Sequence, residues 1–334
     1  MGRATSNVAR QAKRVLMPFI GLFAVLVLVP ACQTIESGAP ALPAGFLDAG
    51  IPDVELSVYA YMNPGYKFTV PTTVLVDGIE ITDKVTVTKV IAAAPTNLES
   101  IGARVDFQNA LIAFLLLQVV EQQVATSSVT VPWLYRDGPS IALVKGDTPW
   151  AMQMQQAFTS NATVRLQDTY PGTWEVMRLL PKSPPAPVVI AGFVRNVSGV
   201  IEGLFNTQSI SIPGLSSALG LARVENVAFA VYANDLDDLS ANIMDMNWQE
   251  THMGVIAVAK AGYPGPIINV LLKVVASRAL LEDITIGEEK AHYRNLDNNA
   301  HLILKNFGGV LYFVFSPTRE GAEQLMQAVI DNAA

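Results

Sequence analysis

Three histidines are the side chains of this sequence best suited to metal binding or proton transfer. They are His252, His292 and His301, and none stands in the H-E-x-x-H spacing that places two ligands on one helical face. His292 and His301 fall in a predicted β-meander with strands at 284–293, 300–304 and 310–315, where we consider a metal site in which they face each other. The alternative is that both are ordinary strand histidines.

The densest acidic cluster is residues 234–238, N-D-L-D-D. Asp235, Asp237 and Asp238 supply the oxygen ligands that Ca²⁺ prefers, but the glycine that a calcium loop needs at its sixth position is missing. Aspartates that follow a strand also begin helices, because they interact favourably with the positive helix end. These three aspartates and His252 are therefore weak ligand and metal candidates, and no cofactor is predicted.

Motifs for nucleophilic catalysis and phosphate binding are missing from the sequence. Residues 214–220, G-L-S-S-A-L-G, do not match G-x-S-x-G and lack its strand–turn–helix context. Neither G-x-G-x-x-G nor G-x-x-x-x-G-K-[ST] occurs. We therefore lean towards a protein that is not an enzyme.

Aromatic residues cluster near the start of the predicted folded region, at Tyr59, Tyr61, Tyr66 and Phe68. A platform that binds sugars or peptides would use such rings. Tyrosines half-buried in strands are far commoner, and we favour that interpretation here.

The elements that must position these side chains alternate between strands and helices. Residues 68–76 and 79–90 are β-type runs separated by Asp77-Gly78, which is the strongest hairpin signal in the chain. Residues 107–124 are predicted to form a helix whose centre is apolar on every side. We expect a core helix or one that lines an apolar cavity.

A proline-rich linker divides the chain. Residues 181–187, P-K-S-P-P-A-P, contain four prolines, which exclude a helix and favour a stiff extended segment. We place a domain boundary there, with a first domain at 51–182 and a second at 183–334. The predicted fold class is α+β, with two α+β domains that each pack a mainly antiparallel sheet against helices.

The two halves share an order of elements that suggests duplication. Each has an apolar helix, at 107–124 or 267–282, a strand that ends in Tyr-Arg, a final strand and a helix that begins at Thr148-Pro149 or Ser316-Pro317. The last helix has its apolar residues on one side, at positions 322, 325, 326, 329 and 330. The Tyr-Arg pairs begin at Tyr135 and Tyr293, and we assign the extra length of the second half to an additional strand near 300–306. Duplication and coincidence both remain open, because this order is common.

An apolar run from Val15 to Ala31 follows four basic residues and precedes Cys32, the only cysteine. This is the layout of a signal peptide, here residues 1–31. Val29-Pro30-Ala31-Cys32 resembles the lipobox of bacterial lipoproteins, with Pro30 in place of the usual small or aliphatic residue. The resemblance implies cleavage before Cys32 and attachment of diacylglycerol and palmitate chains to it. An uncleaved transmembrane anchor and an ordinary signal peptide are the alternatives.

Residues 32–50 then form a lipidated N-terminus and a flexible tether, rich in Ser, Gly, Ala and Pro. Gln33 follows the cysteine, whereas an Asp at this place would resemble an inner-membrane retention signal. The predicted location is the bacterial cell envelope, at the outer membrane in a Gram-negative cell.

Charge excludes nucleic acid as a partner. Without residues 1–31, the chain has 18 basic and 29 acidic residues, a net charge of −11. Such a chain has no electrostatic affinity for phosphates, so we expect membrane contact through lipidated Cys32 and not through surface charge. A chain with one cysteine also forms no internal disulfide.

These observations predict a non-catalytic, lipid-anchored envelope protein that binds an apolar ligand or a protein partner. A structural scaffold protein of the envelope or cell surface is the first alternative. The second alternative is an enzyme whose residues, such as Asp235, Asp237 and His252, meet only in the folded chain.

Overall fold

The computed structural model describes residues 50–333 except 65, 77–78, 112, 115, 118–132, 147, 201–221, 234–252, 279 and 297–299. Cys32, the predicted signal peptide and residues 32–49 of the predicted tether therefore lie outside the described residues.

The described chain is a mixed α+β protein, as the sequence predicts. Its strands are β1 (Ile51–Pro52), β2 (Val58–Met62), β3 (Phe68–Val76), β4 (Ile79–Ala94), β5 (Ile101–Phe107), β6 (Trp133–Asp137), β7 (Ser140–Lys145), β8 (Thr163–Val164), β9 (Val188–Arg195), β10 (Asn226–Ala233), β11 (Met253–Lys260), β12 (Glu282–Ile286), β13 (Glu289–Asn295), β14 (His301–Phe307) and β15 (Val310–Ser316). Its helices are α1 (Pro149–Ser160), α2 (Leu166–Thr169), α3 (Pro171–Met177), α4 (Gly265–Arg278) and α5 (Arg319–Ala333). Helical residues also occur at 110–111, 113–114 and 116–117, which we call the 110–117 segment, and at 197–200.

One antiparallel sheet joins 13 of these strands. The strand order is β12-β13-β14-β15-β11-β10-β9-β2-β4-β5-β7-β6, and β3 pairs with β4 outside this path. A separate two-stranded ladder joins β1 and β8. The sheet therefore continues across the predicted boundary at residue 183, and the division into domains stays a prediction.

Local sequence signals determine several of these elements. The hairpin predicted around Asp77-Gly78 is confirmed, because β3 and β4 pair from Phe68↔Val87 to Val76↔Ile79. Helix α1 begins as expected, with Pro149 in its first turn and the Thr148 side chain accepting a hydrogen bond from the Ala151 amide at 3.3 Å.

The joint between the halves is the pairing of β2 with β9, in which Gly192 lies opposite Ala60. A Cβ atom at Gly192 would lie 2.2 Å from the Tyr59 carbonyl oxygen and 2.5 Å from the Phe229 ring. Those distances leave no room for any side chain. A glycine at this position therefore lets the central strands approach each other.

The sheet has two faces with different cores, because side chains alternate along each strand. Face A is covered by α1, α3 and α5, and its core is one continuous cluster that includes Tyr59, Phe193, Tyr232 and Val314. Face B has two separate clusters. One contains Ala113 of the 110–117 segment, and the other contains Ile268 and Leu272 of α4.

Two predicted elements differ from those observed. The helix predicted for 107–124 does not begin at 107, because Phe107 is the last residue of β5 and the first helical residue is 110. Residues 284–293, predicted as one strand, divide between β12 and β13. Gly287 allows the turn between them, because its φ of 59° lies in the left-handed region that glycine adopts readily.

The Tyr-Arg pairs do not occupy equivalent strands. Tyr135 lies in β6, whose neighbour β7 pairs with β5, whereas Tyr293 lies in β13, two strands away from β15 and its partner β11. Counted outward from the pairing of β2 with β9, β6 is the fifth strand on its side and β14 is the fifth on the other. The strand predicted near 300–306 is present as β14, and its assignment as the additional strand of a duplicated half stays a prediction.

Tyr232 is a buried polar residue of the face A core and is 1% exposed. Its hydroxyl has no hydrogen-bond partner among the described residues. Burial, and second the nearby Tyr312, raise the pKa of Tyr232. The Tyr312 hydroxyl, in contrast, donates a hydrogen bond to the Leu179 carbonyl oxygen at 3.1 Å.

Replacing each of these tyrosines by phenylalanine should therefore have different effects. Tyr232→Phe should leave the free energy of unfolding unchanged or raise it by up to about 1 kcal/mol, because a buried unpaired hydroxyl is removed. Tyr312→Phe should lower it by about 1 kcal/mol, because the Leu179 carbonyl loses its donor. Urea denaturation measures both, and a larger loss for Tyr232→Phe than for Tyr312→Phe would contradict the assignment.

Candidate binding surface

Helix α4 contacts the sheet through one side only. Ile268, Leu272, Val275 and Ala276 are at most 7% exposed and face the core of face B. The helix is also fixed by polar contacts. The side-chain amide of Asn306 donates to the Asn269 side-chain oxygen at 2.8 Å and to the Gly265 carbonyl oxygen at 3.2 Å. These apolar and polar contacts together hold α4 in place on face B.

The opposite side of α4 is apolar as well. Ile267, Val270 and Val274 are 48%, 62% and 47% exposed. Their spacing of three and four residues places them on one side of the helix, and we call them the α4 stripe. A surface helix normally presents polar side chains there, so the stripe is an exception that needs a reason.

Leu280, just after α4, extends this apolar surface and is 78% exposed. Its φ of 53° lies in the left-handed region, where a side chain such as leucine is strained. The Leu281 amide donates to the Ala276 carbonyl oxygen at 2.8 Å, which is the bond of a Schellman helix end. Glycine is usual at the position of Leu280, so the leucine has a conformational cost.

The 110–117 segment repeats this pattern on the same face. Ala113 is fully buried, whereas Leu111 and Phe114 are 63% and 41% exposed. The Arg136 guanidinium lies 5.4 Å from the centre of the Phe114 ring, a cation–π contact. Of the seven exposed large apolar residues in the described ranges, six belong to α4, its end or this segment, and only Met152 of α1 lies on face A.

Basic residues accompany the apolar surface. Lys273 is exposed beside the α4 stripe. On the neighbouring hairpin, alternation from the buried Tyr293 of face A places exposed Lys290 on face B, together with His292 and Asp283. Asp283 is 82% exposed and lies 2.8 Å from the His292 ring. This acid therefore already has a partner.

A polar cluster on face A contains His301. Its Nδ1 lies 2.7 Å from the Tyr293 hydroxyl, and the Arg319 guanidinium lies 4.7 Å from the Tyr293 ring centre. Burial, and second the charge of Arg319, lower the pKa of His301. Arg319 itself pairs with Glu323 at 2.7 Å.

The histidine pair considered from sequence does not form a site. Tyr293 pairs with Ile303 and His292 with Leu304, so alternation places His301 on face A and His292 on face B. The alternative in which the two histidines face each other is therefore wrong, and both are strand histidines. In the described part of the chain, no three His, Cys, Asp or Glu side chains are close enough to hold a metal ion.

The other residues singled out from sequence have mixed outcomes. Tyr59, Tyr61 and Tyr66 are 1%, 5% and 1% exposed, so these three are core residues and not a binding platform. Asp235, Asp237, Asp238 and His252 lie in 234–252, outside the described residues. Cys32 does too. Sequence analysis missed the α4 stripe, although its apolar residues on two sides of one helix were a visible signal.

Comparison with protein-family models, curated proteins and solved structures finds no match to this chain. In the ranges that the structure describes, no helix is long and apolar enough to cross a membrane.

Relieving the strain at Leu280 should stabilise the protein. Leu280→Gly should raise the free energy of unfolding by about 1 kcal/mol, because glycine adopts the left-handed conformation without steric cost. Leu281→Gly is the matched control and should lower it, because Leu281 packs against the face B core. Chemical denaturation compares the two. A loss of stability in Leu280→Gly would contradict the helix end described above.

His301 should make stability depend on pH. Because its pKa in the folded state lies below the usual value of about 6.5, the unfolded chain binds the proton more readily. The contribution is therefore present above about pH 6.5 and is lost as the pH falls through the lowered pKa. His301→Gln should flatten the decline of Tm as the pH falls below about 6.5. Equal slopes for the variant and the wild type would contradict it.

Proposed function

We propose that this protein is a non-catalytic, lipid-anchored envelope protein that binds an apolar partner through the α4 surface. By the α4 surface we mean the α4 stripe, Leu280 and exposed Lys273. The observation on which the binding proposal depends is the exposed α4 stripe on a helix whose other side is fixed to the sheet.

The sequence before residue 33 supports the anchoring. A basic segment, an apolar run and the chain's only cysteine follow each other in the order that resembles a lipoprotein signal. Two or more acyl chains on Cys32 make membrane attachment durable, whereas a single chain does so only weakly. We place the protein in the bacterial envelope, at the outer membrane where the cell has one.

Exposed apolar surface supports the binding role. Single exposed apolar residues are ordinary, but contiguous patches mark sites of interaction with proteins, membranes or ligands. Ile267, Val270 and Val274 follow one another along about two turns of α4, and Leu280 lies at its end. A rigid helix presents them without the entropy loss of ordering a loop on binding.

We also propose that residues 51–182 and 183–334 descend from one duplicated unit. The order β2-β4-β5-β7-β6 has a counterpart in β9-β10-β11-β15-β14. In each half, a helix on face B follows the third strand of this order (β5 or β11), and a helix on face A follows the fourth (β7 or β15). Gly102 in β5 lies under Met154 of α1, as Gly254 in β11 lies under Leu325 of α5.

Replacing the anchoring residue tests the proposed location. In cells, Cys32→Ser should move the protein from the membrane fraction to the soluble fraction or block its processing, because no acyl chain can be attached. Membrane fractionation with mass measurement of the mature chain distinguishes these results from the wild type. Two results together would contradict the proposal. The wild type would have the mass of a chain without acyl groups, and Cys32→Ser would have the same mass and remain in the membrane fraction.

A further inference from the structure

We infer that the apolar partner of the α4 surface is the boundary between headgroups and acyl chains of an anionic phospholipid leaflet, in which α4 lies flat. This inference rests on the proposed anchoring through Cys32. It names one partner for the surface, and a protein partner is an outcome that the experiment distinguishes.

Charge distinguishes this surface from the average of the chain. Although the chain beyond residue 31 has a net charge of −11, residues 261–281 contain no Asp or Glu and two basic residues, Lys273 and Arg278. Helix α5 of face A differs, since it contains Glu320, Glu323 and Asp331, whereas α1 of face A has neither acidic nor basic residues. A long segment without acids matches anionic headgroups, which would repel the acidic remainder of the surface.

The geometry of α4 suits a helix that lies in the plane of a membrane. Its 14 residues extend over about 21 Å at the usual rise of 1.5 Å per residue. Ile268 and Leu272 bind one side to the sheet, so Ile267, Val270 and Val274 point away from the protein. Interfacial helices place such a side in the boundary between headgroups and acyl chains, with basic residues beside it.

Leu280 is a second observation in favour of the membrane. It combines a strained backbone with 78% exposure, so it adds cost to folding and no core contact. Glycine would remove the strain. A leucine at this place is explained if its side chain enters an apolar medium, because burial of its surface then offsets the strain.

Because of the predicted tether, even a weak contact between the α4 surface and the membrane is sufficient to orient the protein. Residues 33–50 number 18, and a flexible chain of that length has an average end-to-end distance of roughly 20–25 Å. An anchored body is thus held close to the leaflet at a high effective concentration. The α4 surface then needs only to orient the body, with face B towards the lipid and face A away from it.

Fluorescence quenching of a labelled cysteine tests this orientation. Val270→Cys is introduced into the full chain, labelled with bimane and reconstituted in vesicles of phosphatidylethanolamine with a quarter phosphatidylglycerol and a doxyl-lipid quencher. Met152→Cys, 65% exposed on face A, is the matched control. Because acylation blocks the thiol of Cys32, the wild type should take up no bimane.

We expect the quencher to remove more than half of the fluorescence at position 270 and less than a tenth at position 152. Equal, weak quenching at both positions with an unlabelled wild type would overturn this inference alone. Labelling of the wild type at Cys32 would overturn the anchoring and the inference with it. Bimane at position 270 that is shielded in native membranes but not quenched by doxyl lipid would identify a protein partner instead.

Two further variants separate membrane contact from folding. In the Val270→Cys background, Leu280→Gly should raise the melting temperature, because glycine relieves the backbone strain. It should nevertheless reduce quenching, because an apolar side chain that contacts the lipid is lost. Lys273→Glu should reduce quenching in the anionic vesicles and have no effect in pure phosphatidylcholine. Unchanged quenching in both variants would overturn the inference.

Discussion

The pairing of β2 with β9 is the contact on which the rest of the structure depends. It joins seven strands on one side and six on the other into one sheet. Gly192 makes this joint close enough for Tyr59 and Phe193 to lie with ring centres 5.6 Å apart in the face A core. Because the sheet is continuous, the helices of both halves are held at fixed positions on its two faces.

The two faces have different surroundings as a consequence. Face A has one continuous core under three helices, and its outer helix α5 is polar and amphipathic. Face B has two smaller cores, and the helical elements over them expose apolar side chains. Charge is also distributed unevenly along the chain. The chain is acidic as a whole, yet the segment that includes α4 contains only basic charged residues.

Elements with strong local signals were predictable from sequence, and long-range features were not. The hairpin around Asp77-Gly78, the beginning of α1 at Thr148-Pro149 and the apolar side of α5 each depend on residues close together in the chain. The β2–β9 joint depends on residues more than 120 positions apart. Helix α4 was predicted, but its exposed side was not, because apolar residues on two sides do not indicate which side faces the core. The candidate aspartates and His252 lie outside the described residues.

The central claim is that α4 faces the lipid of the membrane to which Cys32 is attached. Photo-crosslinking in intact cells from a photoreactive residue at position 270 tests it most directly, with mass spectrometry of the adduct. We expect a phospholipid adduct at position 270 and none at position 152. A peptide of another protein as the main adduct at position 270 would contradict it.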